Sequence, residues 1–185
     1  MSKTLEKRLT PCLSLCTPFV DKTVAVVGNA ESLLKHNHGN HIDSFDTVCR
    51  FNLGATETRF PESTGIRTDV AFFNGCPSVL PTDRSRFEKV IQTSHRRPIQ
   101  PIADGILPKE SNDEIADILG VLRPSSGALV LHWLSVYCRP SRIVVFGFDF
   151  KTTKTYYHTK EPTSSPHDWS REREYFSQNP NICII

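Results

Sequence analysis

The sequence predicts a single α/β domain in which helices flank a mainly parallel central sheet, a Rossmann-like arrangement. Thr23–Val27 is a continuous run rich in β-branched residues that stops at Gly28, and Arg142–Phe148 is a second apolar run. Such runs are typical of parallel strands that are buried on both faces. Between them, Asn112–Leu122 carries apolar residues at helical spacing. Strands that alternate with helices indicate an α/β fold.

The same signals predict the other elements. The predicted strands are Thr23–Val27, Asp46–Phe51, Thr68–Phe73, Lys89–Gln92 and Arg142–Phe148, and the predicted helices are Glu31–Lys35, Asn112–Leu122, Ser126–Cys138 and Pro166–Phe176. Ser165 is the expected N-cap of the last helix, with Pro166 in its first turn and Asp168 at the capping-box position. We assign residues 1–21 to an N-terminal extension and residues 22–185 to the one domain.

Composition and charge narrow the class of protein. The 185 residues are 38% hydrophobic and 23% charged, as in a soluble globular domain. A formal net charge of +2 is too small to indicate nucleic-acid binding. No stretch reaches the ~20 apolar residues of a membrane-spanning helix, and Met1–Lys22 lacks the apolar centre of a signal peptide. We therefore expect a cytoplasmic protein with at most peripheral membrane contact.

Polar residues follow the predicted strands at the places where a ligand would bind. In parallel α/β sheets, ligands lie beyond the carboxyl ends of the strands. Those ends are Gly28-Asn29, Arg50–Asn52, Asn74 and Gly147–Asp149. An asparagine amide both donates and accepts hydrogen bonds, which suits a phosphate oxygen or a sugar hydroxyl. A single asparagine after a strand, however, is usually a turn or a cap.

The turn after the first strand does not match the dinucleotide-binding fingerprint. The pattern G-x-G-x-x-G needs a second glycine where a pyrophosphate approaches the backbone, and Ala30 occupies that position. A nicotinamide-dependent oxidoreductase is therefore a weak alternative, which a failure to bind NAD would eliminate.

Four short motifs between residues 24 and 74 occur in a distinctive order. Val26–Asn29 ends the first strand, Ile42–Ser44 follows, Cys49–Asn52 ends the second strand, and Gly65–Thr68 leads into the third. In order and spacing they resemble the long sialylmotif of the sialyltransferases. The resemblance implies the GT-A-like variant of the α/β fold found in that family. It also implies a CMP-sugar donor whose nucleotide is held by Asn29 and Asn52.

The resemblance continues in the second half of the chain. Pro124–Leu131 and Cys138–Phe148 are similar to the short sialylmotif, a Pro-Ser-Ser/Thr-Gly helix start followed by a strand that ends in Gly-Phe. This assigns Ser125, Ser126 and Gly127 to the donor site, on the sugar or its carboxylate. A helix N-terminus favours an anion because its backbone N–H groups are unpaired and its dipole is positive there. The alternative for Ser125 is that it only caps its helix.

His167 and Glu172 match the family's very short motif, His-x4-Glu, in which the histidine is the catalytic base. We expect His167 in the first turn of the last helix, where the dipole disfavours the charged imidazolium and keeps the ring neutral near pH 7. Positions five apart do not share a helix face, so we expect Glu172 to hold structure by pairing with a basic side chain. Without the other motifs, His167 would be interpreted as an ordinary residue at a helix start.

The tyrosine motif departs from the family pattern. The family has His-Tyr-aromatic-acidic before the base, and this chain has Thr155–His158. Thr155 therefore stands where the phosphate-binding histidine is expected. We expect Tyr156 or His158 to contact the donor phosphate instead.

The cysteines also depart from it. Six occur at irregular spacing: Cys12, Cys16, Cys49, Cys76, Cys138 and Cys183. Cys138 matches the short-motif cysteine, but Val24 stands where its disulfide partner is expected. Absence of that bridge agrees with free thiols in a reducing compartment. Neither the cysteines nor the loop histidines His36, His38 and His41 have the spacing and partners of a metal site.

The resemblance implies inverting transfer of sialic acid from a CMP-sugar to a glycan hydroxyl, with His167 as the base and no metal or other cofactor. Two alternatives stay open: a non-catalytic CMP- or nucleotide-sugar-binding homologue, and a transferase of a related ulosonic acid such as Kdo. A basic stretch is interpreted as a solvated face, with contact to an anionic acceptor or a membrane surface as the alternative. It consists of Arg84, Arg86, Lys89, Arg96 and Arg97.

Overall fold

The structure, a computed structural model, describes residues 14–81, 83–157 and 166–185. Its centre is a seven-stranded sheet. The strands are β1 (Thr23–Val27), β2 (Thr47–Phe51), β3 (Val70–Phe73), β4 (Lys89–Gln92), β5 (Gly105–Ile106), β6 (Arg142–Phe146) and β7 (Ile182–Ile184). They lie in the order β5-β4-β3-β2-β1-β6-β7, and every neighbouring pair is parallel. The predicted single α/β domain with a parallel sheet is confirmed.

Residues 14–16 are helical, and five further α-helices accompany the sheet in the described part of the chain. They are α1 (Gly39–Asp43), α2 (Pro61–Thr64), α3 (Lys109–Leu119), α4 (Ser126–Trp133) and α5 (Trp169–Ser177). A π-helical turn, Leu134–Cys138, continues α4, and Glu31–Lys35 forms a 3-10 helix rather than an α-helix. Gly120 ends α3 in the left-handed conformation, with φ of +61°, two residues before the predicted end. None of the described helices has the length and apolar character needed to cross a membrane.

The last helix begins later than predicted. Asp168 is its N-cap, and the carboxylate accepts a hydrogen bond of 3.1 Å from the backbone N–H of Arg171. Pro166 and His167 precede the helix, and Ser165 lies outside the described residues. The placement of His167 in the first turn is therefore wrong. The physical reason is that the Asp168 carboxylate satisfies an orphan amide three residues into the helix, which fixes the start there.

The two faces of the sheet bury separate apolar clusters because side chains alternate along each strand. Val24 and Val26 pack on the face covered by α3, α4 and α5. Ala25 and Val27 pack on the opposite face, in a cluster with Leu33. β1 is thus buried on both faces, which accounts for its unbroken apolar sequence.

The segment before β1 contributes to the core. Leu15, Cys16 and Phe19 are buried, and the Phe19 ring packs edge-on against Trp133 with centroids 5.6 Å apart. Residues assigned from the sequence to an extension therefore pack as part of the domain from residue 14 onward.

Cys138 has a sulfur neighbour that the motif comparison did not reveal. The Sγ atom of Cys16 lies 2.6 Å from that of Cys138, and both side chains are buried. Val24, at the position where the family has the partner cysteine, is buried in β1. The segment before β1 therefore places a cysteine beside Cys138, at a position other than that of the family's partner cysteine.

The order of strands places the site. From β1, the chain adds β2, β3, β4 and β5 one after another on one side of the sheet. It then returns to add β6 and β7 on the other side of β1, so the direction of winding reverses between β1 and β6. At such a switch point the loops after the two strands diverge and leave a crevice. The loops that begin at Gly28 and Gly147 flank this crevice.

Candidate active site

A cavity of about 440 Å³ lies at the carboxyl edge of the sheet. We call it the strand-end cavity, because all four predicted strand ends contribute to its wall. Those residues are Gly28, Asn29, Phe51, Asn52, Asn74, Gly147, Phe148 and Asp149. The start of α4 and the segment that leads into α5 complete the wall, with Ser125, Ser126, Gly127, His167 and Trp169. The fold thus brings three separate sequence motifs to one cavity.

Phe148 explains two glycines of the site. A Cβ atom on Gly28 would lie 2.6 Å from the Phe148 ring and 2.4 Å from the carbonyl oxygen of Gly147. A Cβ atom on Gly127 would lie 2.5 Å from the same ring. The two distances to the Phe148 ring are far below van der Waals contact, so the ring fits only between two glycines. Gly127 has a packing role beside the predicted ligand-binding role.

The Asn29 side chain joins two parts of the wall. Its Nδ2 donates to the carbonyl oxygen of Phe51 at 3.2 Å and to the Tyr157 hydroxyl at 3.1 Å. Its Oδ1 has no hydrogen-bond partner among the described residues and lies against the Cα of Gly54. The amide therefore fixes the end of β2 and Tyr157 relative to β1.

Asn52 occupies the end of β2 in the left-handed conformation, with φ of +50°. Its Oδ1 accepts a hydrogen bond of 3.1 Å from the backbone N–H of Asn74 at the end of β3. Asparagine adopts this conformation more readily than most residues, because its short polar side chain bonds to nearby backbone. The pair therefore ties two strand ends together at the cavity.

Ser125 and Glu172 form a buried connection between α4 and α5. The Glu172 carboxylate accepts from the Ser125 N–H at 2.8 Å and from the Ser125 hydroxyl at 2.6 Å. The same hydroxyl oxygen accepts from the N–H of Ala128 and caps α4. Burial raises the pKa of Glu172, and the two bonds from Ser125 act against that rise. The predicted structural role of Glu172 is present, but its partner is a serine and not a basic side chain.

His167 lies immediately before α5, and its Nδ1 atom has a hydrogen-bond partner. The Nδ1 atom is 2.8 Å from the carbonyl oxygen of Arg123. A carbonyl only accepts, so Nδ1 carries the proton, and in the neutral ring the lone pair is on Nε2. Burial lowers the pKa of His167 from its ordinary value of 6.5. The bond to the Arg123 carbonyl opposes this, and the charges of Arg123, Arg96 and Lys151 reinforce it. The ring is therefore neutral and basic at pH 7.

A second cavity, of about 780 Å³, meets the first at His167, Ser126 and Asn74, which line both. We call it the basic groove. Its wall includes His95, Arg96, Arg97, Lys109, Asp113 and Arg123. Ser126 lies at the junction, with its hydroxyl 3.2 Å from that of Thr93. His167 is thus accessible from two differently built cavities.

The tyrosine motif is arranged differently from the prediction. Tyr157 lines the strand-end cavity, whereas Tyr156 is 8% exposed and does not. The Tyr156 N–H bonds to the carbonyl of Asn29 at 2.9 Å, and burial raises the pKa of its hydroxyl to about 12. His158 lies outside the described residues. Of the two tyrosines, Tyr157 is therefore the one that lines the cavity.

Lys151 is a cationic side chain of the cavity that no motif indicated. It lines the strand-end cavity, and its Nζ donates to the Thr155 hydroxyl at 3.2 Å. Phe150 and Lys151 both have positive φ, 53° and 66°. This tight turn is held by Asp149, whose carboxylate accepts from the N–H of Thr153 at 2.9 Å. Lys154 of the same loop also lines the cavity, and its Nζ pairs with Glu31 at 3.3 Å. Lys151 therefore offers a positive charge to a ligand phosphate in the cavity.

No group of three His, Cys, Asp or Glu side chains within residues 14–81, 83–157 and 166–185 is arranged to hold a metal ion. His36 and His38 stack on each other, and the His38 and His41 rings pack near Phe146.

Comparisons with known proteins agree with the motifs. The model of glycosyltransferase family 29 (sialyltransferase) matches residues 17–99, which include Asn29 and Asn52 but not His167. The fold is that of a mammalian sialyltransferase crystal structure, with a TM-score of 0.68 and 18% identity over 96% of this chain and 78% of the other. A mammalian sialyltransferase in complex with Gal-beta-1-3GalNAc-ortho-nitrophenol gives a TM-score of 0.67 and 20% identity, over 89% of this chain and 69% of the other. Curated protein sequences give no match.

The class of protein is therefore a glycosyltransferase. More narrowly, the family that this chain resembles in its sequence between residues 17 and 99, and in its fold throughout, is that of the sialyltransferases.

Proposed function

We propose that the chain is an inverting, metal-independent glycosyltransferase that moves sialic acid from a CMP-sugar to the hydroxyl of a glycan. The observation that carries the proposal is the position of His167, a neutral histidine with its lone pair on Nε2 at the junction of two cavities. A transferase needs its base where the acceptor hydroxyl and the donor meet.

In the proposed reaction, the donor occupies the strand-end cavity. Asn29 and Asn52 hold the nucleotide, Ser126 and Gly127 at the start of α4 face the sugar carboxylate, and Lys151 with Tyr157 is near the phosphate. These assignments are supported by two observations. The residues share one cavity wall, and the N-terminus of a helix offers unpaired N–H groups to an anion.

The proton and electron movements balance without a metal. The acceptor hydroxyl gives its proton to Nε2 of His167 while its oxygen attacks the anomeric carbon. The bond from that carbon to the phosphate oxygen breaks, and CMP leaves with the electron pair. Attack from the face opposite the leaving group inverts the anomeric configuration. General-base assistance of this kind contributes roughly 10²–10⁴ to the rate.

A direct test is to incubate the protein with CMP-sialic acid and a galactose-terminated disaccharide, and to measure CMP release and sialylated product. The proposal predicts both, with inverted anomeric configuration in the product and no loss on adding EDTA. CMP-Kdo in parallel distinguishes transfer of the related ulosonic acid. Absence of CMP release from every CMP-sugar, with or without acceptor, would contradict catalysis.

A non-catalytic CMP-binding homologue is the second candidate. The observation that favours it is Thr155 in place of the family's phosphate-binding histidine, with its hydroxyl bonded to Lys151. CMP binding without any turnover would support it.

A further inference from the structure

We propose that the basic groove binds a negatively charged group of the acceptor, a carboxylate or a phosphate on the glycan, close to the hydroxyl that receives the sugar. The inference rests on the proposed function and names the class of acceptor. Two observations support it: the arginines of the groove have no carboxylate partner among the described residues, and the groove meets the strand-end cavity at His167.

The described wall of the groove carries more cationic side chains than carboxylates. Arg96, Arg97 and Arg123 line it and are exposed. Among the described residues, no carboxylate lies within 4.0 Å of these three guanidinium groups. The one carboxylate in the described wall, Asp113, pairs with Lys109 at 2.5 Å. Within the described part of the chain, the three arginines of the groove therefore have no carboxylate partner. Guanidinium groups bind carboxylate and phosphate with two parallel hydrogen bonds.

These charges lie next to the reacting position. The backbone of Arg123 accepts the hydrogen bond from Nδ1 of His167, and the charges of both Arg123 and Arg96 act on that ring. A glycan that places a hydroxyl at Nε2 and extends into the groove would bring its next residue to the arginines. An acceptor anion there would also stabilise the imidazolium that forms as His167 takes the proton.

The other residues of the basic stretch lie outside the groove. Arg84 pairs with Asp104 at 2.6 Å and donates to the Glu88 carbonyl, so its charge is compensated within the fold. Arg86 is exposed and does not line the groove. Of the five residues of the basic stretch, only Arg96 and Arg97 line the groove. Arg86 is a matched control for them.

The experiment uses the full chain, CMP-sialic acid labelled in the sugar, and three pools of free oligosaccharides separated by charge. One pool is neutral, one carries carboxylates, and one carries phosphates. We expect label to enter an anionic pool at least tenfold faster than the neutral pool. The two anionic pools distinguish the carboxylate from the phosphate. Because the attraction is between exposed charges, the preference should fall as salt rises from 50 to 500 mM.

The double variant Arg96→Gln/Arg97→Gln should lose roughly tenfold in kcat/KM for the preferred anionic pool, while its calorimetric affinity for CMP stays unchanged, because neither arginine lines the strand-end cavity. Arg86→Gln should change neither quantity. Equal labelling of the neutral pool, or an unaltered preference in the double variant, would overturn the inference. Loss of CMP release under every condition would instead contradict the proposed function itself.

Discussion

The two cavities that meet at His167 are formed by different kinds of structural element. The strand-end cavity is made of strand termini, glycines and two asparagines whose side chains bond to the backbone of neighbouring strands. The basic groove is made of exposed long side chains on the loop after β4 and on α3. The first is fixed by the sheet, and the second is not. This difference indicates that the proposed donor site is shaped by the fold and the proposed acceptor site by substitutable surface residues.

The largest expected effect is at the junction of the two cavities. His167→Ala should reduce transfer by roughly 10²–10⁴ and leave CMP affinity nearly unchanged, because only the base is removed. Product formation and calorimetric CMP binding measure the two quantities. His36→Ala, an exposed loop histidine outside both cavities, is the control. An equal loss of binding and transfer would contradict the role of His167 as base.

Glu172→Ala should destabilise the protein at the wall of the strand-end cavity. It removes the acceptor of both the Ser125 N–H and the Ser125 hydroxyl inside the protein. Leaving buried donors unsatisfied costs about 1–3 kcal/mol in the free energy of unfolding. Urea denaturation measures this. Glu174→Ala on the exposed side of α5 should change stability by less than about 0.5 kcal/mol. A Glu172→Ala variant as stable as the parent would refute the structural role.

Gly127→Ala tests the packing of Phe148. The added methyl meets the ring at 2.5 Å and should cost about 1–3 kcal/mol of stability, since the ring also lies against Gly28. Combining it with Phe148→Leu, which removes the rigid ring, should recover part of the loss. Additive losses in the double variant would mean that the two side chains do not interact.

Asn29→Ala should weaken CMP binding by roughly 5–30-fold, which corresponds to about 1–2 kcal/mol. The cause is loss of the bonds that hold the end of β2 and Tyr157. Asn37→Ala, an exposed residue outside both cavities, serves as the matched control in the same titration. Unchanged affinity in Asn29→Ala would remove Asn29 from the donor site.

The smallest expected effect is in the pH dependence of kcat/KM. Because the pKa of His167 is lowered, the base is already neutral at pH 7, and the rate should fall on the acid side with a midpoint below 6.5. Arg96→Gln removes a positive charge that favours the neutral ring, so the midpoint should move to higher pH. Movement to lower pH would contradict the proximity of the two side chains.

The walls of the strand-end cavity were largely predictable from the sequence. Buried parallel strands need unbroken apolar runs, so β1 and β4 were predicted with the bounds that the structure has. The motifs then marked the strand ends that line one cavity. β5 and β7, of two and three residues, were missed because runs so short carry no periodicity.

Details decided by tertiary contacts were not predictable. A bridge between Ala30 and Thr155 sets which of two adjacent tyrosines faces the cavity, and the sequence alone favoured Tyr156. The start of α5 depends on one capping bond of Asp168. The basic groove combines residues that are distant in the chain, Arg96 and Arg123, so no local pattern revealed it.

The most direct test of the central claim, a CMP-sugar site built at the strand ends, is calorimetric titration of the full chain with CMP, UDP and NAD. We predict saturable binding of CMP, with UDP and NAD at least tenfold weaker, and the same CMP affinity in His167→Ala. No CMP binding, or equal affinity for the three nucleotides, would contradict the donor site and with it the catalytic role of His167.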